Sequence, residues 1–357
     1  MIIVMVTILV LAVLAGGFAY SMKVETKLAR NANSDTELYW IGRSGVELAR
    51  FVLAEQMKLG CEPYDALNQV WAGGPGGFCT TNSPLAGFSL KDVQLGNGYI
   101  RSVKIVDLER KLNINLADQA LLEHAMTLMG VDPGDSSPVV SAIQDWIDAD
   151  DVTHISGAEN DYYKSLSPPY YAKNRPIDDL SELLLVRGVT QEMYWGAACT
   201  NRSPGVLQRQ LSRLGRVSSP CYSPVGLVDV FTPLSAGKLN INTASAMTLQ
   251  AVPLIDETRA QQIIRLRSGF DGQEGTEDDT PAGSPGMSIL DMLVSAGFSQ
   301  PEAMAASRYL DQRSRTFEVT VDAEINGRHR LFCAVISRLS MRELPIVSFY
   351  WKEPSGT

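Results

Sequence analysis

Nineteen consecutive residues, Ile2–Tyr20, carry no charge. As a helix they cross about 30 Å of hydrocarbon. The basic start, short apolar core and small-residue cleavage site of a secretory signal are not cleanly present. From Ser21 to Met57 there is no proline, and Leu38, Ile41, Gly45, Leu48, Phe51 and Val52 recur at helical spacing. The spacing predicts one helix that leaves a membrane and runs on into a folded domain.

A chain of 357 residues that is 45% apolar has room for two or three packed units. The formal net charge is −9, which opposes a nucleic-acid partner, since phosphate binding needs clustered Lys and Arg. The histidines, His124, His154 and His329, are scattered and form no HExxH pair, so a His-based metal or nucleophile site is not expected. None of the five cysteines forms a CxxC pair. Cys61/Cys79 and Cys199/Cys221 each bracket a loop rich in Gly, Pro or Ser. Two local disulfides in an oxidising compartment are one reading, and five reduced thiols the other. Cys333 lies in an apolar strand and reads as core.

Gly98–Ile114 and Thr316–Leu339 read as strands, with Asn326-Gly327 as a hairpin turn. Between them the pentapeptide KLNIN occurs twice, at Lys111–Asn115 and Lys238–Asn242, each time ahead of a helical pattern. Asp179–Glu192 parallels Ser288–Glu302, with Asp179 and Ser288 as N-caps and Gly188 and Gly297 as helix stops. Two related helical lobes are expected, about 112–224 and 238–312, with Ile114 and Ile241 as core plugs. The flanking asparagines should bond the turn and start the helix. The fold class is therefore α+β, a long N-terminal helix on an antiparallel sheet with a large inserted all-α domain. The expected division is 1–33 membrane helix, 34–115 with 313–357 as the α/β domain, and 116–312 as the insertion.

The second lobe resembles a helix-hairpin-helix motif, but Leu254 stands where a phosphate-binding Gly is usual and Asp256 is beside it. Two acidic loops carry the chemistry. Phe270–Gly283 packs Asp271, Glu274, Glu277, Asp278 and Asp279 close together, with Thr276 among them. Calcium takes six to eight oxygens from such bent loops, so this is the first metal candidate. The second, in Asp145–Tyr163, comprises Asp148, Asp150, Asp151, Glu159 and Asp161. Solvated surface charge is the alternative for both loops.

The stretch FAYSMKVETKLARN (Phe18–Asn31) resembles the segment after the apolar helix in the protein K family of the type II secretion system, which are minor pseudopilins. W-x-D-x-D followed by GAE and a Tyr within Asp145–Tyr163 is similar to the same family's pattern, as is KNRPIDDLSELLLVRGV (Lys173–Val189). Most pilins carry a Glu near position five of the mature helix. Ile2–Tyr20 has none, and protein K is the member that lacks it.

The resemblance implies a non-enzymatic protein held in the inner membrane by residues 2–20, with its globular domain in the periplasm. It implies a place at the pseudopilus tip, initiating and capping assembly for protein export across the outer membrane. The implied partners are pseudopilins of the GspI and GspJ type and the inner-membrane secretion platform; nucleic acid is not among them. It also implies calcium in the helical domain. Pseudopilins begin with a short basic leader, so either the true start lies upstream of Met1 or the sequence is a trimmed form. Lys23, Lys27 and Arg30 alone would favour a cytoplasmic domain, and a leader's positive charges would counterbalance them. Two rival readings are a membrane-tethered helix-hairpin-helix protein for DNA uptake and a periplasmic hydrolase using the clustered carboxylates.

Overall fold

The computed structural model describes residues 1–77, 79–196 and 225–352. Helix α1 (Ile2–Lys58) is continuous over 57 residues. Its apolar N-terminal part is bare, while Leu38, Ile41, Val46, Ala49, Val52 and Leu53 are buried along one stripe. Phe51, expected on that stripe, stays largely exposed with its ring near Phe88.

The stripe lies on a five-stranded antiparallel sheet. Its order is β1 (Lys91–Leu95), β2 (Gly98–Asp107), β7 (Thr316–Ile325), β8 (Arg328–Ser337) and β9 (Ile346–Lys352). Helix α1 packs on β7, β2 and β8. Two glycines set that approach. A Cβ at Gly42 would fall 2.2 Å from the Phe332 ring, and one at Gly45 would fall 2.4 Å from a Val321 methyl. The β7–β8 turn is Asn326-Gly327, both with positive φ (51° and 78°), as such two-residue turns require. Residues 59–77 and 79–90 lie along one flank of the helix. Val70, Trp71, Leu85 and Leu90 join the sheet core there, and Trp71 meets Phe317 edge-on at 5.2 Å. Cys61 and Cys79 are joined in a disulfide, and Cys333 is free and buried. Cys199 and Cys221 lie outside the described residues.

The sheet has a direction relative to α1. Gly96, Asn97, Tyr99 and Asn326 stand beside Thr26–Glu37, while Ser314, Arg315 and Arg338 stand beside Gln56 and Met57. The chain leaves β2 at Asp107 and re-enters β7 at Thr316 on neighbouring strands. The helical domain is therefore inserted at the end of the sheet remote from the N-terminus of α1.

The insertion contains α2 (Gln119–Leu128), α3 (Pro133–Ile147), α4 (Asn160–Lys164), a 3-10 turn at Leu180–Leu185, α5 (Gln191–Trp195) and α6 (Leu227–Val230). A second lobe holds α7 (Ala246–Gln250), α8 (Glu257–Arg267), α9 (Ile289–Ser295) and α10 (Gln300–Ala306). One hydrophobic core runs through both lobes from Leu112 to Leu310, separate from the core between α1 and the sheet. Leu112 and Ile114 belong to the helical core, which thus begins ahead of residue 116.

The KLNIN repeat has a structural meaning. Its first copy forms β3 (Leu112–Asn113), which pairs in parallel with β4 (Phe231–Thr232). Its second copy forms β5 (Leu239–Asn240), paired in parallel with β6 (Leu310–Asp311). Each copy is thus zipped to the end of its own lobe, with Ile114 and Ile241 buried beneath. The last asparagine clamps a distant backbone in the same way twice. Asn115 donates to the Ile177 carbonyl (3.0 Å) and accepts its N–H (2.7 Å), and Asn242 does the same with Ala282 (3.0 and 2.8 Å). The first asparagine of each copy bonds the turn, Asn113 and Asn240 accepting the N–H groups of Asn115 and Asn242, but the α-helices that follow are capped by Asp118 and Ser245, because the second asparagine is spent on its distant clamp. Asp179 and Ser288 form capping boxes with Glu182 and Asp291, and Gly188 and Gly297 adopt positive φ as helix stops.

Candidate metal centre

Helix α3 ends at Ile147, and the acidic stretch that follows folds back over its last turn. Asp145, on that turn, is wholly buried. Its Oδ1 accepts the His154 N–H at 3.0 Å and lies 2.5 Å from His154 Nδ1. Gly157 closes over the other oxygen, where a Cβ would come within 2.0 Å of Oδ2. Arg187 holds that glycine from outside by donating to its carbonyl at 2.9 Å. Glu159, the N-cap of α4, is buried too.

Asp145, Asp148 and His154 bring one ligand atom each within 4.8 Å of one another, and so do Asp148, Asp150 and Glu159. Asp145 Oδ2, Asp148 Oδ1 and both Glu159 oxygens are buried without a hydrogen-bond partner among the described residues. Buried carboxylate oxygens with no donor are costly unless a cation or proton meets them. Burial, reinforced by Asp145 and Asp148, pushes the Glu159 carboxyl up to about 7. Burial and Asp150 raise Asp148 as well, and the bond to Asp145 raises His154. Four orphaned oxygens on bent backbone suit a hard cation such as calcium, which takes carboxylate oxygens in flexible geometry.

The second-lobe loop is arranged differently. Asp278 accepts the N–H groups of Phe270 (2.6 Å) and Asp271 (3.0 Å) and the Thr276 hydroxyl (2.7 Å), which holds its carboxyl below the usual range. Asp279 accepts Gly275 N–H at 2.8 Å, and burial raises its carboxyl. Asp271 accepts Gln273 N–H at 2.7 Å. Glu274 is bound by Arg267 at 2.6 Å, whose guanidinium also donates to the Ile241 and Ala244 carbonyls. Arg267 thereby ties this loop to the second NIN turn. Glu277 forms no part of that network.

Of the first-lobe residues picked from sequence, Asp148, Asp150 and Glu159 come together. Asp151 stands at the rim, accepting from Asn160 at 2.9 Å, and Asp161 is exposed in the first turn of α4. Sequence reasoning missed Asp145 and His154 as members. Asp145 lies three residues before Asp148, a spacing that puts both on one face where a helix ends.

A single anchor-length helix, its second half laid on an antiparallel sheet, is a pilin-like architecture, here with a large helical insertion at the far end of the sheet. The family model "Type II secretion system (T2SS), protein K" matches residues 101–197. Protein K of Aeromonas hydrophila is 25% identical over 336 residues, covering 91% of this chain and 93% of that protein. Protein K of Pseudomonas aeruginosa is 24% identical over 291 residues, covering 78% and 74%. A chain of the GspK–GspI–GspJ complex from enterotoxigenic Escherichia coli aligns with a TM-score of 0.58 at 17% identity, over 91% of this chain and 99% of that one. Over nearly its whole length the chain is thus similar to protein K of the type II secretion system.

Proposed function

We propose that this pseudopilin occupies the tip of the secretion pseudopilus, where it starts and caps assembly. Residues 2–20 anchor it in the inner membrane, and its domains lie in the periplasm. Its partners are pseudopilins of the I and J type, as in the enterotoxigenic Escherichia coli complex, together with the inner-membrane platform. The observation that carries the reading is the insertion point. A bulky helical domain sits on the end of the sheet remote from the membrane helix, where a stacked subunit would have its upper neighbour. A subunit with that end blocked fits where nothing stands above it. The work is structural, not enzymatic.

The test is a deletion that joins β2 to β7 by a short turn in place of 116–312. The remnant should keep the helix and sheet but no longer cap, changing fibre number or length. Full-length chains repeated along the shaft of isolated pseudopili would sink the reading.

A second reading concerns the cation. The orphaned oxygens of Asp145, Asp148 and Glu159 support one calcium ion in the first lobe, with Asp150 completing the set. The ion would tie the end of α3 to the start of α4 and so stiffen the insertion. The loop at Asp271–Asp279, with Glu274, Thr276, Glu277 and Asp278, is a second calcium position in the same reading. There Asp278 and Asp279 would exchange backbone donors for the ion.

A further inference from the structure

Strand β1 covers only half of β2. Its register runs from Leu95 against Gly98 to Lys91 against Ser102. One more bond, from Val103 N–H to the Leu90 carbonyl (2.8 Å), ends the ladder. Upstream of Leu90 the chain turns away, with the Ser89 hydroxyl accepting the Lys91 N–H at 3.1 Å. Val103–Asp107 stays paired with β7 on its other side. The second half of β2 is therefore an open edge.

Two bonds fix where the backbone groups of that edge point. Leu108 donates to the Thr316 carbonyl at 3.0 Å, so Leu108, Val106 and Lys104 turn their N–H and C=O groups toward β7. Val103 donates to Leu90, so Val103 and Ile105 turn theirs to the open side. No bond from a described residue reaches the Ile105 N–H or C=O. Ile105 is only 5% exposed, and buried backbone groups are nearly always paired.

A cavity of about 560 Å³ lies along this edge, between it and the turn at Val70–Gly74. Its two sides differ in chemistry. Val103 and Ile105 share the sheet face that carries α1, where Val70, Trp71 and Leu90 are buried and Phe88 packs beside them. Ser102 and Lys104 share the opposite face, and Lys91 joins them because it stands across from Ser102. Both lysines are exposed and neither forms an ion pair among the described residues, on a chain whose net charge is −9. Asp92, the acid of β1, is taken by Arg101 at 3.1 Å.

We propose that this slot takes an extended segment of another protein, in line with β1 and antiparallel to β2, whose residues alternate apolar and acidic. The residue opposite Ile105 exchanges both backbone bonds with it and drops an apolar side chain toward Trp71 and Phe88. Its two neighbours point to the other face and set carboxylates beside Lys91 and Lys104. Main-chain bonding supplies affinity, and the alternation supplies selectivity. A helix does not fit, since its own N–H and C=O groups are spent internally. A lone anion would meet the lysines and leave the apolar side empty. Nothing in this slot depends on where the chain stands in a fibre.

The experiment uses the full chain in detergent and a capped synthetic peptide of about seven residues that alternates Glu with Val. Calorimetry at low salt should show one peptide per chain. Methylating the backbone nitrogens of the Val residues should weaken binding at least tenfold, because those N–H groups face β2. Methylating the Glu nitrogens should leave it unchanged, since they face away. Lys91→Glu and Lys104→Glu, both at exposed positions, should weaken binding at least tenfold while the melting temperature holds. Lys352→Glu, on the opposite edge strand, should not. Bound peptide should also slow hydrogen exchange of the Ile105 amide. Equal loss from both methylated sets, or loss from the Glu set alone, would overturn the proposal. So would undiminished binding by both Lys variants, or equal binding of a peptide that alternates Lys with Val. Self-association of the chain alone that the Lys variants abolish would overturn it in favour of a second copy. No binding of the Glu–Val peptide would overturn it outright and leave the pseudopilin reading untouched.

Discussion

The side-chain amide of Asn240 donates to the carboxylate of Asp107 at 3.1 Å, across the joint between the helical insertion and the sheet. The same nitrogen reaches the Asp65 carbonyl at 3.0 Å and the Ser314 hydroxyl at 2.7 Å, while Thr243 and Ser314 donate to Asp107 at 2.5 and 2.6 Å. Asn113, the equivalent residue of the first repeat, turns instead to the Ser235 carbonyl. The second KLNIN is thus the bolt between domains. Asn240→Ala should cost about 3 kcal/mol and Asn113→Ala about 1 kcal/mol, since the former removes the donor shared by three buried acceptors and the latter the donor to one. Paired thermal melts of the two variants check the difference.

Calcium should raise the melting temperature of chelator-treated protein by mass action. Asp148→Asn should lower the calorimetric stoichiometry by one ion and remove the first-lobe share of that rise. Asp278→Ala with Asp279→Ala should act separately on the second lobe. An unchanged titration after Asp148→Asn would exclude the first-lobe site.

Stability of the metal-free protein should fall as pH rises. The Glu159 carboxyl lies at about 7 in the folded chain against an ordinary 4.5, because burial penalises its charge. The folded state keeps its proton when the unfolded chain loses it, so stability is undiminished below about 4.5 and lost as pH climbs to 7 and beyond. The full loss is about 3 kcal/mol. Asp148 and His154, both raised, act in the same direction. Urea melts at pH 5 and pH 8 with chelator present should show the decline, and Glu159→Gln should flatten it.

Reducing the Cys61–Cys79 bond should destabilise the flank that covers β1. The bond closes a loop with a sequence separation of 18. Freeing such a loop costs about 3 kcal/mol. Melting with and without reductant, with Cys61→Ser/Cys79→Ser as the reference, reads this out.

Leu254 has φ of 74°, in the left-handed region where side chains are crowded, and it is 45% exposed. Leu254→Gly should therefore stabilise the second lobe by about 1 kcal/mol. A lower melting temperature would show that the leucine contributes packing that outweighs its backbone strain.

Much of this fold was legible in the sequence because it rests on periodicity and turn chemistry. The 57-residue helix, the Asn326-Gly327 hairpin and the paired lobes all leave local signatures. Strands β1 and β9 left none, since both are short edge strands with mostly exposed residues. The acidic cluster of the first lobe was half legible. Asp148, Asp150 and Glu159 stand in an acidic run, but Asp145 reads as an ordinary helix residue until Gly157 closes over it. His154 was discounted for want of a second histidine, although its partners are carboxylates. The role of Asn240 was hidden altogether, because its spelling is identical to that of Asn113.

Helix α1 has no proline and no break from Ile2 to Lys58, so it acts as a lever about 85 Å long. Gly42 and Gly45 let it seat flush on Phe332 and Val321, which keys the sheet to the lever and resists sliding along it. Any tilt of the N-terminal end is then amplified at the other. Ten degrees at the base swings the far end by about 15 Å. With residues 2–20 in the membrane, as proposed above, the pose of the whole head would follow the angle of those residues.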